Sequence, residues 1–364
     1  MKTIKLHKTH RLTFNTDETI KAAALSAPNE LVMLMSSGLM LRYKIDADKT
    51  TPLFSVKNGI QYSDGCFDID DPVSIYTIND IVVVVNDFKC HGYIHHPGKY
   101  EALHFGRTDC HANITQYPIA LFKNKEEVPH LIYSEEWNHL QIINLDTLHI
   151  LTAAKSLIEE GAEQRHLELQ EKYKINNTIK WPRAYDYFYG RLEMSPDQQH
   201  FLSAGWIWGS NDSYCVYNVD DFIHNHRITD KLLDIWEHCN RPACWVDNET
   251  VAVVYNASEE GEEEVNSETR VNDEIHFYKI NSDKPELKRK VSVDNFNAFY
   301  AKIYFSKDLH AFVLVPNEKG LAVLSLDGEV LLHDKEVFIN TYNPDLNMGI
   351  SWEDQTINIY QIIK

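Results

Sequence analysis

The chain has 364 residues, 43% of them hydrophobic, and a formal net charge of −19 at pH 7. That charge argues against a nucleic-acid backbone or an anionic membrane as partner and permits a basic protein partner. No apolar run approaches the roughly 18 residues of a membrane helix. The basic start, Met1 to Lys8, lacks the apolar core of an export signal, so the six cysteines are expected free in a reducing cytoplasm.

The first expected element is a strand over Thr3 to Phe14. Groups of four strands then follow one another. The first group is Ile20 to Ala27, Glu30 to Met35, Leu41 to Asp46 and Pro52 to Val56. The second is Val73 to Ile78, Ile81 to Val85, Gly92 to His96 and Glu101 to Phe105. The third is Ile119 to Phe122, His130 to Tyr133, Leu140 to Asp146 and His149 to Thr152. An insertion over residues 153–183 interrupts the series. Its first part, Ser156 to Tyr173, is rich in Glu, Leu, Gln and Lys, lacks proline, and reads as a helix. Leu157, Ile158, Ala162, Leu169 and Tyr173 would form its loose apolar stripe, which Gly161 weakens.

The fourth group is Arg191 to Met194, Phe201 to Trp208, Tyr214 to Asp220 and Arg227 to Leu232. The fifth is Ala243 to Val246, Val251 to Tyr255, Ile275 to Asn281 and Leu287 to Val293. The sixth is Ala301 to Phe305, Ala311 to Val315, Leu321 to Asp327 and Val330 to His333. The seventh, Phe338 to Tyr342, Met348 to Trp352 and Ile357 to Ile363, is one strand short. The third strand of most groups alternates apolar and polar residues and stops at Asp or Asn. Alternation is the period of a strand with unlike faces, and Asp or Asn suits the turn that follows.

Seven near-copies of one strand unit resemble the β-propeller superfamily, of which WD40 repeats are an example, although the Gly-His and Trp-Asp pairs of WD40 repeats do not recur. The resemblance covers nearly the whole chain and carries architecture alone. It implies an all-β, seven-bladed β-propeller of four-stranded antiparallel blades, forming one domain over residues 1–364. The Thr3 to Phe14 segment would supply the outer strand of blade seven and remove an open sheet edge.

In a propeller the turns between second and third strands and the crossovers between blades open on one face, called the top. The irregular segments collect there. Trp206 and Trp208 share a strand face at one end of blade four, and Trp181, Arg183, Tyr185 and Tyr187 lead into that blade. Trp, Tyr and Arg are the residues most enriched in binding hot spots, so these six are candidate partner-binding residues. Packing of the same rings between blades is the competing reading. The blade-five turn holds Glu259, Glu260, Glu262, Glu263 and Glu264, which would either form a solvated hairpin tip or steer a cationic partner.

Signs of catalytic chemistry are weak. Cys90-His91 and Cys110-His111 offer donors that would suit zinc, but their spacing matches no standard finger, and no metal or cofactor is assigned. Cys239 and Cys244, with His238, are weaker still. The acids of Asp64 to Asp71 fit a turn as well as a calcium loop. No Gly-x-Ser-x-Gly elbow or phosphate-binding glycine loop is present. The expected function is a monomeric, non-enzymatic, protein-binding propeller that works through its top face. Neutralising a basic partner, as immunity proteins do, fits that description. The alternative is a hydrolase or lactonase-like propeller with a metal or carboxylate site at the central channel.

Overall fold

The computed structural model describes residues 4–56, 66–173, 184–233, 235, 241–255, 273–281, 284–293, 301–316 and 320–364. The architecture is all-β, a seven-bladed β-propeller built of antiparallel sheets. By contact the chain divides into two compact units. One comprises Met1–Asp109 with Asn240–Lys364, the other Cys110–Cys239.

The first unit contains blades one, two, five, six and seven, each a four-stranded sheet taken in chain order except the last. Blade seven consists of Thr341–Asn343, Met348–Glu353 and Thr356–Ile363, with Lys5–Thr13 as its outer strand. Lys5 pairs with Ile363 and Thr13 with Thr356, with one irregularity between Lys8 and His10. The expected closure by the N-terminal strand is therefore observed, and the backbone edge of the final strand is covered. Apolar side chains fill the spaces between neighbouring sheets. Val32, Leu34 and Met40 of blade one meet Val82, Val84 and Tyr93 of blade two. Met33 and Leu31 of blade one meet Ile350, Ile357 and Ile359 of blade seven. Val313 and Val323 of blade six meet Tyr342 and Ile362 of blade seven. Each strand thus buries one face against each neighbour, which is why the inner strands read as nearly continuous apolar runs.

The second unit contains blades three and four, and here the structure departs from the regular plan. Blade three has three strands, Ile119–Lys123, Pro129–Glu136 and His139–Asn144. Its expected fourth strand, His149 to Thr152, is reduced to a single bridge between Ile143 and Ile150. The Thr152 hydroxyl replaces further ladder bonds by donating to Gln141 Oε1 at 2.6 Å and accepting from the Ile142 amide at 2.9 Å.

Blade four is built from Phe188–Met194, His200–Ile207, Cys215–Asn218 and Lys231–Leu232, with Asn211–Asp212 as a short extra pairing on the second strand. Its third strand was expected to run to Asp220. Instead that strand ends at Asn218, where the chain turns into a short helix. α1 spans Ala162–Tyr173 within the insertion, and α2 spans Val219–His224 at the end of the third strand. Asn218 ends that strand by capping α2: its side chain accepts the Asp221 amide at 2.9 Å, and Asp220 and Asp221 occupy the first turn.

The outer strand of blade four is only two residues long, and the insertion compensates. Glu159 bridges Ile228 in parallel, and the Ser156 and Glu160 amides donate to the His226 and Ile228 carbonyls. Lys155 donates from Nζ to the carbonyls of Arg227 at 2.6 Å and Asn225 at 3.0 Å, over the Phe222 ring. Burial there pulls its pKa down to about 8. α1 starts after Gly161, at φ +70°, later than the expected Ser156. Its apolar stripe is not buried, since Leu169 and Tyr173 are exposed. Ion pairs of Arg227 with Glu163 and of Arg165 with Glu159 hold its first turns instead.

Candidate aromatic binding face

Four segments of the second unit converge at the ends of blades three and four. These are the crossover into blade three (residues 110–118), the second turn of blade three (134–139), the entry to blade four (184–190) and its second turn (204–214). Strand alternation sorts the rings of the entry segment. Tyr185, Tyr187 and Tyr189 face the core between the two blades, and Phe188 faces the other way.

Phe188, fully buried, forms the middle of a three-ring stack. Trp206 lies parallel to it at 3.8 Å between centroids and an interplanar angle of 4°. Trp137 covers its other neighbour position at 4.3 Å and 32°. Two further rings stand upright against this stack. Trp208 meets Phe188 edge to face at 5.0 Å and 84°, and Trp137 at 6.1 Å and 66°. His111 meets Phe188, Trp206 and Trp208 at 5.2 to 5.5 Å, all near perpendicular. The edge-to-face contacts of Trp208 and His111 are among the favoured aromatic geometries, so these rings brace one another. Two polar contacts fix the assembly. Trp206 Nε1 donates to the Thr115 hydroxyl at 2.9 Å, and the Tyr189 amide donates to the Trp137 carbonyl at 2.9 Å.

The assembly is open on one side. Trp208 is 53% exposed and Ile114, in the crossover that carries His111, is 52% exposed. A half-exposed tryptophan on a preformed aromatic support exposes large contact area at little rotamer cost, the usual form of a hot-spot anchor. The four segments contain Glu135, Glu136, Asp186 and Asp212 and no Lys or Arg. Arg191, one residue beyond, is engaged by Glu193 at 3.7 Å.

Behind this face lies a second aromatic group. Tyr185, Tyr187, Tyr189 and Tyr217 are buried together with Cys215. The Tyr185 and Tyr217 hydroxyls are 2.9 Å apart, and Tyr185 donates to the Asp230 carboxylate. Tyr187 donates to the Ser203 carbonyl at 3.1 Å. Burial pushes all four phenols and the Cys215 thiol well up, so they stay neutral. Burial also raises the Asp230 pKa, against the opposing hydrogen bond from Tyr185 and the positive charge of Arg165 on α1.

Of the expected partner-binding residues, Trp206 and Trp208 lie on the open face. Tyr185 and Tyr187 do not, and this is a correction. They are 4% and 1% exposed, because alternation along the entry segment turns them into the core. Trp181, Arg183, Glu259, Glu260, Glu262, Glu263 and Glu264 lie outside the described residues. Sequence reading missed Trp137 and Phe188 as parts of the face and considered His111 only as a weak zinc-donor candidate. A turn tryptophan preceded by Glu135 and Glu136 was the available signal.

Among the described residues no group of three or more His, Cys, Asp or Glu is placed to hold a metal ion. Cys90 and His91 are buried, and His91 Nδ1 lies 3.1 Å from His104 Nε2. Cys110 is half-buried and His111 serves the aromatic stack. Cys244 is buried in blade five, whereas His238 and Cys239 fall outside the described residues. The acids after Asp64 are tied to lysines. Lys89 pairs with Asp68 and Asp71, and Lys21 pairs with Asp70 at 2.7 Å. The Lys89 hydrogen bond holds the Asp68 carboxyl below its usual range.

A groove of about 570 Å³ lies at the opposite ends of the same two blades. Phe122, Leu151, Val219 and Ile223 contribute apolar surface, and the Lys125–Asp220 ion pair at 3.4 Å crosses between blade three and α2. Among the described residues no helix is long and apolar enough to cross a membrane. No protein-family model matches the chain, and no curated protein matches it.

Proposed function

We propose that this protein is a non-enzymatic, protein-binding propeller whose working surface is the aromatic face of blades three and four. The observation that carries the proposal is Trp208, 53% exposed yet braced by Phe188, Trp137 and His111. Truncating such an anchor in a complex typically costs about 2 kcal/mol or more. The partner is a basic protein, in keeping with the acids of the four segments and the net charge of −19. Neutralising such a protein in the cytoplasm, as an immunity protein does, is the role this chemistry fits.

The test compares affinity capture from the source cells by the wild-type protein, Trp208→Ala and Phe338→Ala. Phe338 is 48% exposed in the first unit and serves as the surface control. The proposal expects a basic protein captured by wild type and Phe338→Ala and lost with Trp208→Ala. Equal capture by all three proteins would overturn it.

A further inference from the structure

We propose that the open edge of the N-terminal strand, Lys5–Thr13, is a second docking site. It takes an acidic, extended segment of another protein as an added strand of blade seven. The site is independent of the aromatic face, so either reading can fail without the other.

The N-terminal strand completes its blade but leaves one of its own edges open. Among the described residues it pairs with Thr356–Ile363 and stands at the end of the sheet order. Its outward N–H and C=O groups are available to a further strand. The chemistry of this edge runs against the rest of the chain. Five of its nine residues are Lys, His or Arg, and all five are exposed. Neither this strand nor Thr356–Ile363 contains Asp or Glu, in a protein of net charge −19. Lys5, Lys8 and Arg11 form no ion pair among the described residues, and Lys8 lies over the Tyr360 ring at 5.8 Å.

The outer strands of the neighbouring blades differ. Tyr100–Gly106, Glu286–Val293 and Val330–Asp334 each include an acid. Within Glu286–Val293, Lys288 pairs with Glu286 and Arg289 with Asp327. Lys49–Ser55 is interrupted by Pro52, which has no N–H to donate.

A bulge sets the spacing of the cations. The register shifts between Lys8 and His10 and leaves Thr9 as the extra residue, its hydroxyl on the Ile359 carbonyl at 3.2 Å. Lys8 then pairs with Tyr360 and Arg11 with Asn358, two positions apart, so both side chains leave the same face of the sheet. Without the bulge they would leave opposite faces. The packing agrees: Leu6 joins the cluster shared with blade six, and Leu12 the cluster shared with blade one. Two positions along a strand span about 7 Å, the repeat of alternate side chains. An added strand with Glu or Asp at alternate positions would set a carboxylate beside each cation.

The edge selects its occupant. A second copy of this chain, edge to edge, would bring two sets of Lys5, Lys8 and Arg11 together, which charged edges prevent. A nucleic acid offers phosphates that only accept hydrogen bonds, whereas a strand edge presents both donors and acceptors. The acidic remainder of the protein would also repel it. A peptide backbone answers both kinds of group, and acidic side chains answer the cations.

The test titrates dye-labelled probes into the full-length protein and follows anisotropy. One nine-residue peptide alternates Thr with Glu. A second replaces each Glu by Gln. A third has the composition of the first with its glutamates in one block. A uridine oligonucleotide of equal charge is the fourth probe. The alternating Glu peptide should bind about tenfold tighter than the Gln peptide and severalfold tighter than the block. It should also protect the amides of residues 5–13 from hydrogen exchange. Replacing Lys8→Gln together with Arg11→Gln should weaken it about tenfold and lower its salt dependence. Replacing Lys288→Gln together with Lys290→Gln, both exposed on the outer strand of blade five, should leave it unchanged.

Equal affinity for the Glu and Gln peptides, or for the alternating and blocked ones, would overturn the proposal. So would tighter binding of the oligonucleotide, or unchanged affinity after loss of Lys8 and Arg11. The probe comparisons use the wild-type protein, so they decide the matter even if that variant folds poorly.

Discussion

Blades three and four carry two aromatic groups, back to back, with opposite fates. The tyrosine group, Tyr185, Tyr187, Tyr189 and Tyr217, is sealed between blades three and four. The tryptophan group, Trp137, Trp206 and Trp208 about Phe188, opens to solvent at Trp208. They share a segment: Tyr187 and Phe188 are adjacent and point to different groups. What separates them is the polar company each keeps. Three of these hydroxyls have fixed protein partners: Tyr187 donates to the Ser203 carbonyl, and Tyr185 meets both Asp230 and the Tyr217 hydroxyl. The tryptophan face is tied by Trp206 to Thr115 and by the Trp137 carbonyl to the Tyr189 amide, and it leaves half of Trp208 in water. Aromatic enrichment alone therefore does not mark a binding surface; half-exposure on rigid support does.

The largest expected effect lies on the tyrosine side. Tyr187→Ala removes a fully buried ring and should cost about 3–5 kcal/mol of stability, measured by denaturant unfolding. A cost near 1 kcal/mol would mean that the tyrosine group is not a packed core. Next comes Gly205, which separates the two groups. A β-carbon there would lie 2.4 Å from the Phe188 carbonyl oxygen and 2.4 Å from the Tyr187 hydroxyl. Gly205→Ala should cost about 1–3 kcal/mol and disturb the spectra of both groups. Disturbance of only one would show that they are not mechanically joined.

The Asp230 pKa gives a smaller, pH-dependent test. Raised by burial in the folded state, this carboxyl holds a proton that the unfolded chain has already lost. Its contribution to stability is full below the ordinary carboxylate range and is lost as pH rises through the raised folded value. Asp230→Asn removes that titration and keeps an acceptor for Tyr185. Relative to the variant, wild type should lose stability across that window and run parallel to it at higher pH. Parallel curves throughout would exclude a perturbed Asp230. The smallest stability effect belongs to Trp208→Ala. Half of its ring is already in water, so the loss should be about 1 kcal/mol. A loss as large as that of Tyr187→Ala would make Trp208 a core residue and remove the contrast.

Much of this was legible in the chain. Strand repeats such as Leu321 to Asp327 mark the blades because alternation and a terminal turn residue are local properties, and the missing strand of blade seven pointed to its donor near the N-terminus. The end of the third strand in blade four was also local but was overlooked: Asn218 with Asp220 and Asp221 is a helix-capping pattern. The helical insertion was recognised, yet its docking along residues 226–228 depends on how short the neighbouring outer strand is, which no local pattern shows. Trp206 and Trp208 stood out through their spacing. The rest of the face did not, because His111, Trp137 and Phe188 reach it from three separate segments. The burial of Tyr185 and Tyr187 followed from a phase of alternation that begins before the strand itself.

The most direct measurement of the central claim is photocrosslinking in living cells, with benzoylphenylalanine placed at position 208 or at position 338. Both native residues are about half exposed, so neither replacement should disturb the fold. The account predicts a single covalent adduct with a basic protein from position 208 and none from position 338. No adduct from position 208, or the same adducts from both positions, would contradict it.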